Sequence, residues 1–206
     1  MMVQMRDNEL LPVIVQHARS GEVLMLGYMN TEALVATRES GFVTFYSRSR
    51  QRLWRKGETS GNTLRVVEMR QDCDGDALLV LAEPAGPTCH TGRPSCFFRD
   101  LDETEVAGPV PPVAIVTRLA DRIHDRRDVA PTESYTAKLL HGGVDRIGKK
   151  IGEEAAEVII AAKNGNPAEV AYELADLIYH CLVLLENQGM SAEAVWAELA
   201  RRYASS

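Results

Sequence analysis

The sequence predicts two domains of different class: an α+β domain built on a compact β-rich sheet, followed by an all-α helical bundle. Short apolar runs of strand length, separated by turn residues, fill roughly residues 10–100. Longer segments with the helical period of apolar residues fill the rest of the chain. Between them, residues 100–112 are acidic and then rich in glycine and proline, which is typical of a linker. We therefore predict a first domain at 1–107, a linker at 108–112 and a second domain at 113–206.

The first domain is expected to hold one helix and five strands. The helix is predicted at residues 31–39, with Asn30 or Thr31 as its N-cap and Gly41 as its stop. Alternating or continuously apolar runs predict the strands, at residues 11–16, 22–27, 43–47, 62–70 and 77–82.

Four helices are expected in the second domain. Apolar residues at helical spacing place them at residues 116–126, 144–163, 168–187 and 192–203. The turn Asn164-Gly165-Asn166-Pro167 separates the two longest helices. The simplest architecture is a helical bundle, completed where necessary by a partner chain.

Overall charge and hydropathy restrict the possible partners. The net charge of −6 argues against nonspecific binding to nucleic acid or to an anionic membrane. Without an apolar stretch of about 18 residues, the sequence predicts no transmembrane helix. Residues 1–11 also lack the pattern of a signal peptide. We therefore expect a cytoplasmic protein whose four cysteines are reduced and available for metal.

The first candidate site lies at Asp72-Cys73-Asp74-Gly75-Asp76, where three carboxylates surround one thiol. On an extended strand alternate residues share a face, so the three aspartates would converge and Cys73 would point away. Three carboxylate oxygens on one face suit a hard cation such as Mg²⁺. The alternative is an acidic turn between strands.

Two further cysteines, Cys89 and Cys96, lie in a loop rich in glycine and proline at residues 86–96. Such a loop can fold both thiolates around one ion, and three protein ligands plus water is the composition of a catalytic zinc site. Buried structural cysteines are the alternative. His90 either completes a closed four-ligand site or carries a proton beside the metal, and spacing does not decide between these roles.

A segment dense in cations, hydroxyls and glycines precedes both motifs, at residues 45–62. It offers guanidinium, ammonium and backbone N–H groups to a phosphate, although a solvated basic loop has the same composition. Trp54 is either a packing residue or a contact to substrate. We assign substrate contacts to Arg48, Arg50, Trp54, Lys56, Thr59 and Ser60.

Four stretches of this half, at residues 21–30, 45–62, 72–79 and 86–97, together resemble the phosphoribosyl-AMP cyclohydrolases of histidine biosynthesis. The resemblance implies a homodimer with its active sites at the interface and with zinc ligands from both subunits. In that reaction zinc-bound water attacks C6 of the adenine and the N1–C6 bond opens, which makes His90 the candidate proton carrier. The resemblance assigns zinc to Cys73, Cys89 and Cys96, and Mg²⁺ to Asp72, Asp74 and Asp76.

In the second domain, carboxylates interrupt the apolar faces of two helices. At about 100° per residue, Glu154 falls inside the apolar stripe of its helix and Glu157 at its edge, whereas Glu153 points away. Glu173 and Asp176 repeat the arrangement on the next helix. A buried carboxylate is costly without a cation, so the two pairs predict a Mg²⁺ clamp. Ordinary surface carboxylates are the alternative.

Three stretches here, at residues 134–140, 149–157 and 173–179, resemble phosphoribosyl-ATP pyrophosphohydrolase. This resemblance implies a helical bundle of the nucleotide pyrophosphohydrolase type. The resemblance implies that Mg²⁺ on the four carboxylates activates water for attack at the α–β linkage, releasing pyrophosphate. It places the triphosphate on Lys138, Lys149 and Lys150. His180 receives no role, and Cys181 is expected in the core.

The two halves thus resemble consecutive enzymes of one pathway, with the second domain expected to act first. Phosphoribosyl-ATP would become phosphoribosyl-AMP and pyrophosphate there, and the first domain would then open the adenine ring. Two alternatives remain open: a zinc-binding regulatory module fused to a helical dimerisation bundle, and a general nucleoside triphosphate pyrophosphohydrolase.

Overall fold

The computed structural model describes residues 10–106 and 111–204. The chain divides into two compact units, Met1–Ile115 and Val116–Ser206. The first is rich in β-sheet and the second is helical, so the predicted order of the two folds is confirmed. Residues 108–110 of the predicted linker lie outside the described residues. The acidic part of the segment before them is a folded turn, in which Asp100 Oδ1 accepts the backbone N–H of Thr104 at 2.8 Å.

The first unit contains a four-stranded sheet and a two-stranded ribbon. Its strands are β1 (Leu11–His17), β2 (Val23–Met29), β3 (Thr44–Ser47), β4 (Arg52–Arg55), β5 (Leu64–Gln71) and β6 (Leu78–Pro84). The sheet has the order β2-β1-β6-β5, in which β1 and β6 run parallel and the other neighbours run antiparallel. The ribbon pairs β3 with β4.

The core of this unit follows from alternation along the strands. Val13 and Val15 of β1 are buried beside Val80 of β6 on one face of the sheet. Burial of each such side chain contributes roughly 1.5–3 kcal/mol. Ile14, between the two valines, points to the other face and is 39% exposed. One face of the sheet therefore builds the core.

One helix, α1 (Thr31–Ser40), adds Ala33 and Leu34 to this core. Its N-cap is Asn30, whose Oδ1 accepts the backbone N–H of Ala33 at 2.9 Å. Gly41 ends the helix with a φ of 72°, a left-handed conformation that favours glycine. The predicted helix and its stop are confirmed, with Asn30 as the cap.

The sequence predicts a loop where the structure has β4. This strand pairs with β3 so that Phe45 lies opposite Trp54, and the two rings stack with centroids 5.8 Å apart. Trp54 packs against the core, whereas the flanking arginines Arg52 and Arg55 are exposed. A strand with one packed side chain among charged neighbours has too little apolar alternation to be recognised.

The second unit consists of four helices in the described part of the chain: α2 (Ala114–His124), α3 (Tyr135–Lys163), α4 (Pro167–Asn187) and α5 (Ala192–Ala204). The long helices α3 and α4 pack against each other. Their shared core includes Leu139, Ile147 and Val183, which are almost completely buried. None of the helices described is long and apolar enough to cross a membrane.

The helix α3 begins at Tyr135 and is broken at Gly143, so its second segment begins at residue 144 as predicted and only the first segment is unexpected. Ser134 is its N-cap, and its Oγ accepts the backbone N–H of Ala137 at 3.4 Å. The helix is kinked at Gly143, where φ is 71° and ψ is −172°. Beside this break, Asn187 of α4 donates through Nδ2 to the carbonyl of Leu140 at 3.1 Å. Tertiary contact thus joins two helical segments that a local pattern separates.

The helix α4 departs from expectation at two neighbouring residues. Cys181 is exposed rather than part of the core, and His180 is buried, with 3% of its surface exposed. Leu174 and Ile178 of the predicted apolar stripe are 40% and 45% exposed. A single chain therefore leaves part of that stripe uncovered.

Candidate active sites

The three aspartates of the first site converge through a turn, not along a strand as the sequence predicts. Asp72 Oδ1 accepts the backbone N–H groups of Gly75 at 3.0 Å and Ala77 at 3.1 Å. Gly75 has a φ of 83°, which permits this tight turn. One carboxylate oxygen from each of Asp72, Asp74 and Asp76 lies within 4.8 Å of the others. The predicted convergence is present, but the extended conformation is wrong.

Backbone donors stabilise negative charge in this turn. The hydrogen bond from the Ala77 N–H, with further contributions from Asp76 and Gly75, lowers the pKa of the Asp72 carboxyl below its usual value. All three side chains are exposed. The turn is therefore an open cluster of carboxylates that can meet a hydrated cation.

Cys89 and Cys96 belong to a loop that is anchored on the end of β2. The backbone N–H of Cys96 donates to the carbonyl of Leu24 at 2.8 Å, and Ser95 Oγ donates to the carbonyl of Val23 at 2.7 Å. Within the loop, the Cys89 N–H donates to the carbonyl of Arg93 at 3.0 Å. These bonds hold the two cysteines on the same side of the unit.

The two thiols have different acidities. Burial tends to raise the pKa of Cys89, but hydrogen bonds, chiefly from Thr91, outweigh it and the pKa is lowered. The Thr91 hydroxyl lies 3.1 Å from Cys89 Sγ. Burial and the neighbouring Cys89 thiolate raise the pKa of Cys96 to about 11. The two sulfurs therefore lie close enough to interact, and Cys89 is the more readily ionised.

Cys73 does not complete a triplet with these two cysteines. Among residues 10–106 and 111–204, the groups of three potential ligand atoms within 4.8 Å of one another contain only carboxylates. Cys73 itself is exposed in the acidic turn. A single chain thus brings together two of the three cysteines predicted to hold zinc.

A cavity of about 600 Å³ joins the cysteine loop to the basic segment. Lys56 is only 8% exposed, and no carboxylate partner for it occurs in the described part of the chain. Gly57 has a φ of 82°, and a Cβ there would lie 2.3 Å from the carbonyl oxygen of Asn62, so this turn requires glycine. The residues lining the cavity include Arg50, Trp54, Lys56, Thr59, Ser60, Cys89 and His90.

His90 and Arg48 differ from the other predicted residues in their surroundings. His90 is exposed, with Nδ1 3.9 Å from Cys89 Sγ. Arg48 does not line the cavity, because its guanidinium lies over the ring of Tyr28 at 4.0 Å from the centroid. The structure therefore gathers every predicted substrate contact of this half except Arg48 around one cavity.

In the second unit, oxygens of Glu154 and Glu157 on α3 and Glu173 on α4 lie within 4.8 Å of one another. Asp176, one turn further along α4, is half-buried and is not part of this triplet. Glu154 is 4% exposed, as the helical projection predicts, and Glu157 is exposed. Packing of α3 on α4 therefore brings the acidic residues of the two helices together.

One lysine neutralises part of this cluster. Lys150 Nζ lies 2.8 Å from Glu154 Oε1 and 3.0 Å from Glu153 Oε2. The hydrogen bond from Lys150 lowers the pKa of Glu154 despite its burial. The carboxyl of Glu157 shares a hydrogen bond with Glu154 and lies near Glu173, so its pKa is raised. The cluster holds more negative charge than its lysine balances, which suits a cation.

The other two predicted lysines lie apart from the triplet. Lys149 Nζ is 3.5 Å from Glu153 Oε1, and its side chain is 76% exposed. Lys138 lines a cavity of about 560 Å³ together with Ser134 and Tyr135 at the start of α3. His180, to which the sequence motifs give no role, lies beside this cluster with Nδ1 3.8 Å from Glu154 Oε1. Its position four residues after Asp176, on the same helical face, is the signal that could have identified it.

The two folds and their clustered carboxylates and thiols define a two-domain hydrolase. The family model for phosphoribosyl-AMP cyclohydrolase matches residues 25–98, and that for phosphoribosyl-ATP pyrophosphohydrolase matches residues 116–203. Among curated relatives named histidine biosynthesis bifunctional protein HisIE, that of Escherichia coli strain K12 is 50% identical, covering 96% of this chain and 93% of its own length. That of Bacillus subtilis strain 168 is 50% identical, covering 97% and 95%.

The chain belongs to this family of bifunctional histidine biosynthesis proteins. It is a phosphoribosyl-AMP cyclohydrolase in its first half and a phosphoribosyl-ATP pyrophosphohydrolase in its second. The family predicted from the sequence motifs is confirmed, as is the bifunctional activity.

Proposed function

We propose that the second domain acts first in this bifunctional enzyme and that each half uses its own metal. The second domain releases pyrophosphate from phosphoribosyl-ATP, and the first then hydrolyses the N1–C6 bond of phosphoribosyl-AMP. The cavity in which Cys89 and His90 face Arg50 and Lys56 carries this proposal. A cysteine and a histidine that can support hydrolysis thus line the same cavity as two cationic side chains that can bind phosphate.

Cys73, Cys89 and Cys96 hold zinc in this proposal. Thiolates are the ligands that zinc prefers, and the lowered pKa of Cys89 favours its thiolate form. Zinc bound there supplies a nucleophilic water at neutral pH. Because Cys73 lies apart from the other two in one chain, the third thiolate comes from a second copy. This supports a homodimer whose ring-opening sites lie at the subunit interface.

The remaining side chains of the cavity bind and orient phosphoribosyl-AMP. Arg50 and Lys56 pair with its phosphates, and the hydroxyls of Thr59 and Ser60 hydrogen-bond to the same groups. The ring of Trp54 stacks on the base in this proposal, and Phe45 holds that ring by stacking on it. His90 takes the proton of the attacking water and delivers it to N1 as the N1–C6 bond breaks.

The acidic turn of Asp72, Asp74 and Asp76 provides three hard oxygen ligands and is assigned to Mg²⁺. Its exposure suits an ion that keeps several waters and also meets substrate phosphates. Arg48, which stacks on Tyr28, can reach a phosphate outside the cavity only by leaving that ring.

Glu154, Glu157 and Glu173, joined by Asp176, hold Mg²⁺ in the second domain. The excess negative charge of the triplet fits a divalent cation. A Mg²⁺ ion held by these carboxylates would offset phosphate charge and lower the pKa of a bound water, which is the chemistry needed for hydrolysis at the α–β linkage. Lys138 and Lys149 pair with the triphosphate in this proposal, and Lys150 does so while it remains paired with Glu154.

Exposed apolar side chains on α3 and α4 support association of two copies in the helical half as well. Tyr172 is 67% exposed, Ile159 61% and Ile160 56%. Together with Leu174 and Ile178 they leave apolar surface open on both helices. A second copy of the chain would cover it symmetrically.

One assay tests the order of the reactions and separates the alternatives. The purified protein is given phosphoribosyl-ATP, and pyrophosphate and the ring-opened product are followed together with bound zinc. Cys89→Ser should lose zinc and ring opening, accumulate phosphoribosyl-AMP and still release pyrophosphate. Cys181→Ser, which changes an exposed cysteine, should behave as the wild type. Release of pyrophosphate from ordinary nucleoside triphosphates, with phosphoribosyl-AMP left intact, would contradict the proposal.

A further inference from the structure

His180 is a buried histidine that this mechanism does not yet use. It is 3% exposed on α4. A buried imidazole costs free energy unless both ring nitrogens have hydrogen-bond partners. Here Nδ1 lies 2.8 Å from the carbonyl oxygen of Asp176, and Nε2 lies 3.4 Å from the hydroxyl of Tyr135. Both nitrogens are therefore engaged.

These partners determine the orientation of the ring. A carbonyl oxygen only accepts, so Nδ1 donates its hydrogen, and in the neutral ring Nε2 accepts the hydroxyl hydrogen of Tyr135. The Tyr135 ring meets His180 edge-on, with an interplanar angle of 84°. The Tyr179 ring contacts it at a centroid distance of 5.0 Å. The imidazole is thus held by two hydrogen bonds and two aromatic neighbours.

The donor at Nδ1 also faces the buried carboxylate of α3. It lies 3.8 Å from Glu154 Oε1, and Lys150 Nζ lies 2.8 Å from the same oxygen. Within residues 111–204, Oε2 of Glu154 has no cationic partner. Lys150 therefore holds Oε1 by an ion pair, the Nδ1–H edge of His180 lies beside the same oxygen just beyond hydrogen-bond distance, and no cation of these residues holds the second oxygen.

The same chain of contacts reaches the cavity beside Lys138. Tyr135, whose hydroxyl is bonded to His180, lines that cavity with Ser134 and Lys138. A ligand in the cavity therefore touches the residue that holds His180, and His180 in turn faces Glu154.

We propose that His180 is a positioning residue for the pyrophosphohydrolase reaction, with Tyr135 holding it in place. It fixes Glu154 so that one carboxylate oxygen is presented to Mg²⁺, and it links that oxygen to the cavity that receives the phosphates. The inference rests on the proposed function, in which Glu154 is a Mg²⁺ ligand. Partners of metal ligands typically contribute about 10- to 100-fold to metal affinity.

The test measures Mg²⁺ affinity of the nucleotide-free protein by calorimetric titration. The binding that Glu154→Gln removes defines the helical site. His180→Leu should weaken that binding about tenfold or more. His180→Asn should recover most of it, because the amide N–H occupies the place of Nδ1. Tyr135→Phe, which removes one hydrogen bond to a neutral group, should weaken it roughly threefold to fivefold. The control His141→Leu changes an exposed histidine of α3 and should have no effect.

Kinetics give a second readout, since a merely structural role would not produce it. Loss of kcat for pyrophosphate release in His180→Leu should be rescued by His180→Asn, while ring opening of supplied phosphoribosyl-AMP stays unchanged in both. If Glu154→Gln leaves Mg²⁺ affinity intact, the proposed metal site itself is wrong. If Glu154→Gln removes the site but folded His180→Leu binds Mg²⁺ like the wild type, the positioning role is overturned. Should His180→Leu fail to fold, unchanged affinity in Tyr135→Phe overturns it equally.

Discussion

Lys150 and Glu154, one turn apart on α3, form an ion pair with Nζ 2.8 Å from Oε1, although Glu154 is almost completely buried. Within the described residues, Glu157 of the same carboxylate cluster has no ion pair of its own. Its pKa is raised by its hydrogen bond to Glu154, by burial and by Glu173, whereas that of Glu154 is lowered. The two carboxyls therefore titrate on opposite sides of the usual glutamate value of 4.5.

The raised pKa of Glu157 predicts that Mg²⁺ affinity at the helical site falls as the pH is lowered from neutrality towards that pKa. In this window the metal-free folded protein binds more protons at Glu157 than the unfolded chain does. As the pH falls, protonation of Glu157 therefore increases the free energy of unfolding of the metal-free protein. The same proton weakens Mg²⁺ binding, because Mg²⁺ must displace it. Glu154, with its lowered pKa, stays ionised throughout the window. Calorimetric titrations at pH 7.5 and pH 5 measure the change.

The acidic turn of the first unit serves as the internal comparison for this pH experiment. The pKa of Asp72 is lowered, so Asp72 keeps its charge over the same range. Asp145→Asn, a change of an exposed carboxylate elsewhere on α3, should leave the pH dependence as it is. Equal Mg²⁺ affinity of the helical site at both pH values would contradict the assignment of Glu157.

Zinc ligands from two subunits predict complementation between inactive chains. Cys73→Ser and Cys89→Ser should each fail to open the ring. Mixed and reassociated, half of the dimers contain both chains, and each of these has one site with intact ligands. About a quarter of the wild-type ring opening should therefore return. A mixture of Cys89→Ser and Cys96→Ser should recover none, because both changes fall on the same side of the site. Rescue in neither mixture would show that the ligands are not shared.

The sequence predicts the class of each fold and the identity of the clustered residues, but local patterns do not predict how the clusters form. The carboxylates of Asp72 and Asp74 converge because backbone N–H groups close a turn around Asp72, whereas strand alternation predicts the same outcome for another reason. The burial of Glu154 follows from helical periodicity alone. Periodicity does not predict the burial of His180 or the exposure of Cys181. Both depend on how α3 crosses α4 and on a surface that a single chain leaves uncovered.

The kink in α3 predicts opposite effects for two glycines of one helix. At Gly143, with φ 71° and ψ −172°, a side chain is strained, and Gly143→Ala should destabilise the second unit by about 1–3 kcal/mol. At Gly148, a Cβ meets nothing within 4 Å, so Gly148→Ala should stabilise it by roughly 0.5–1 kcal/mol. Urea unfolding followed by helical circular dichroism measures both. A stabilising effect of Gly143→Ala would mean that Gly143 does not hold a kink.

Glu153 and Glu154 are adjacent and chemically identical, and the structure gives them different surroundings. Glu154 is buried and belongs to the carboxylate triplet. Glu153 is outside the triplet and pairs with Lys149 and Lys150, with its side chain 40% exposed. If Mg²⁺ is held by the triplet, Glu154→Gln removes a ligand and should reduce pyrophosphate release by orders of magnitude. Glu153→Gln should reduce it much less, because it only frees two lysines from an exposed pair.

Both variants should remain folded, since Gln is nearly isosteric with Glu. Replacing Glu154 removes the ion pair with Lys150, and the lowered pKa of Glu154 shows that this loss outweighs the relief of repulsion with Glu157. The metal-free Glu154→Gln protein should therefore unfold at a somewhat lower temperature than the wild type, and added Mg²⁺ should stabilise it less. Ring opening of supplied phosphoribosyl-AMP should be unchanged in both, which controls for global damage. Equal loss of pyrophosphate release in the two variants, or full activity of Glu154→Gln, would show that the buried carboxylate is not a metal ligand.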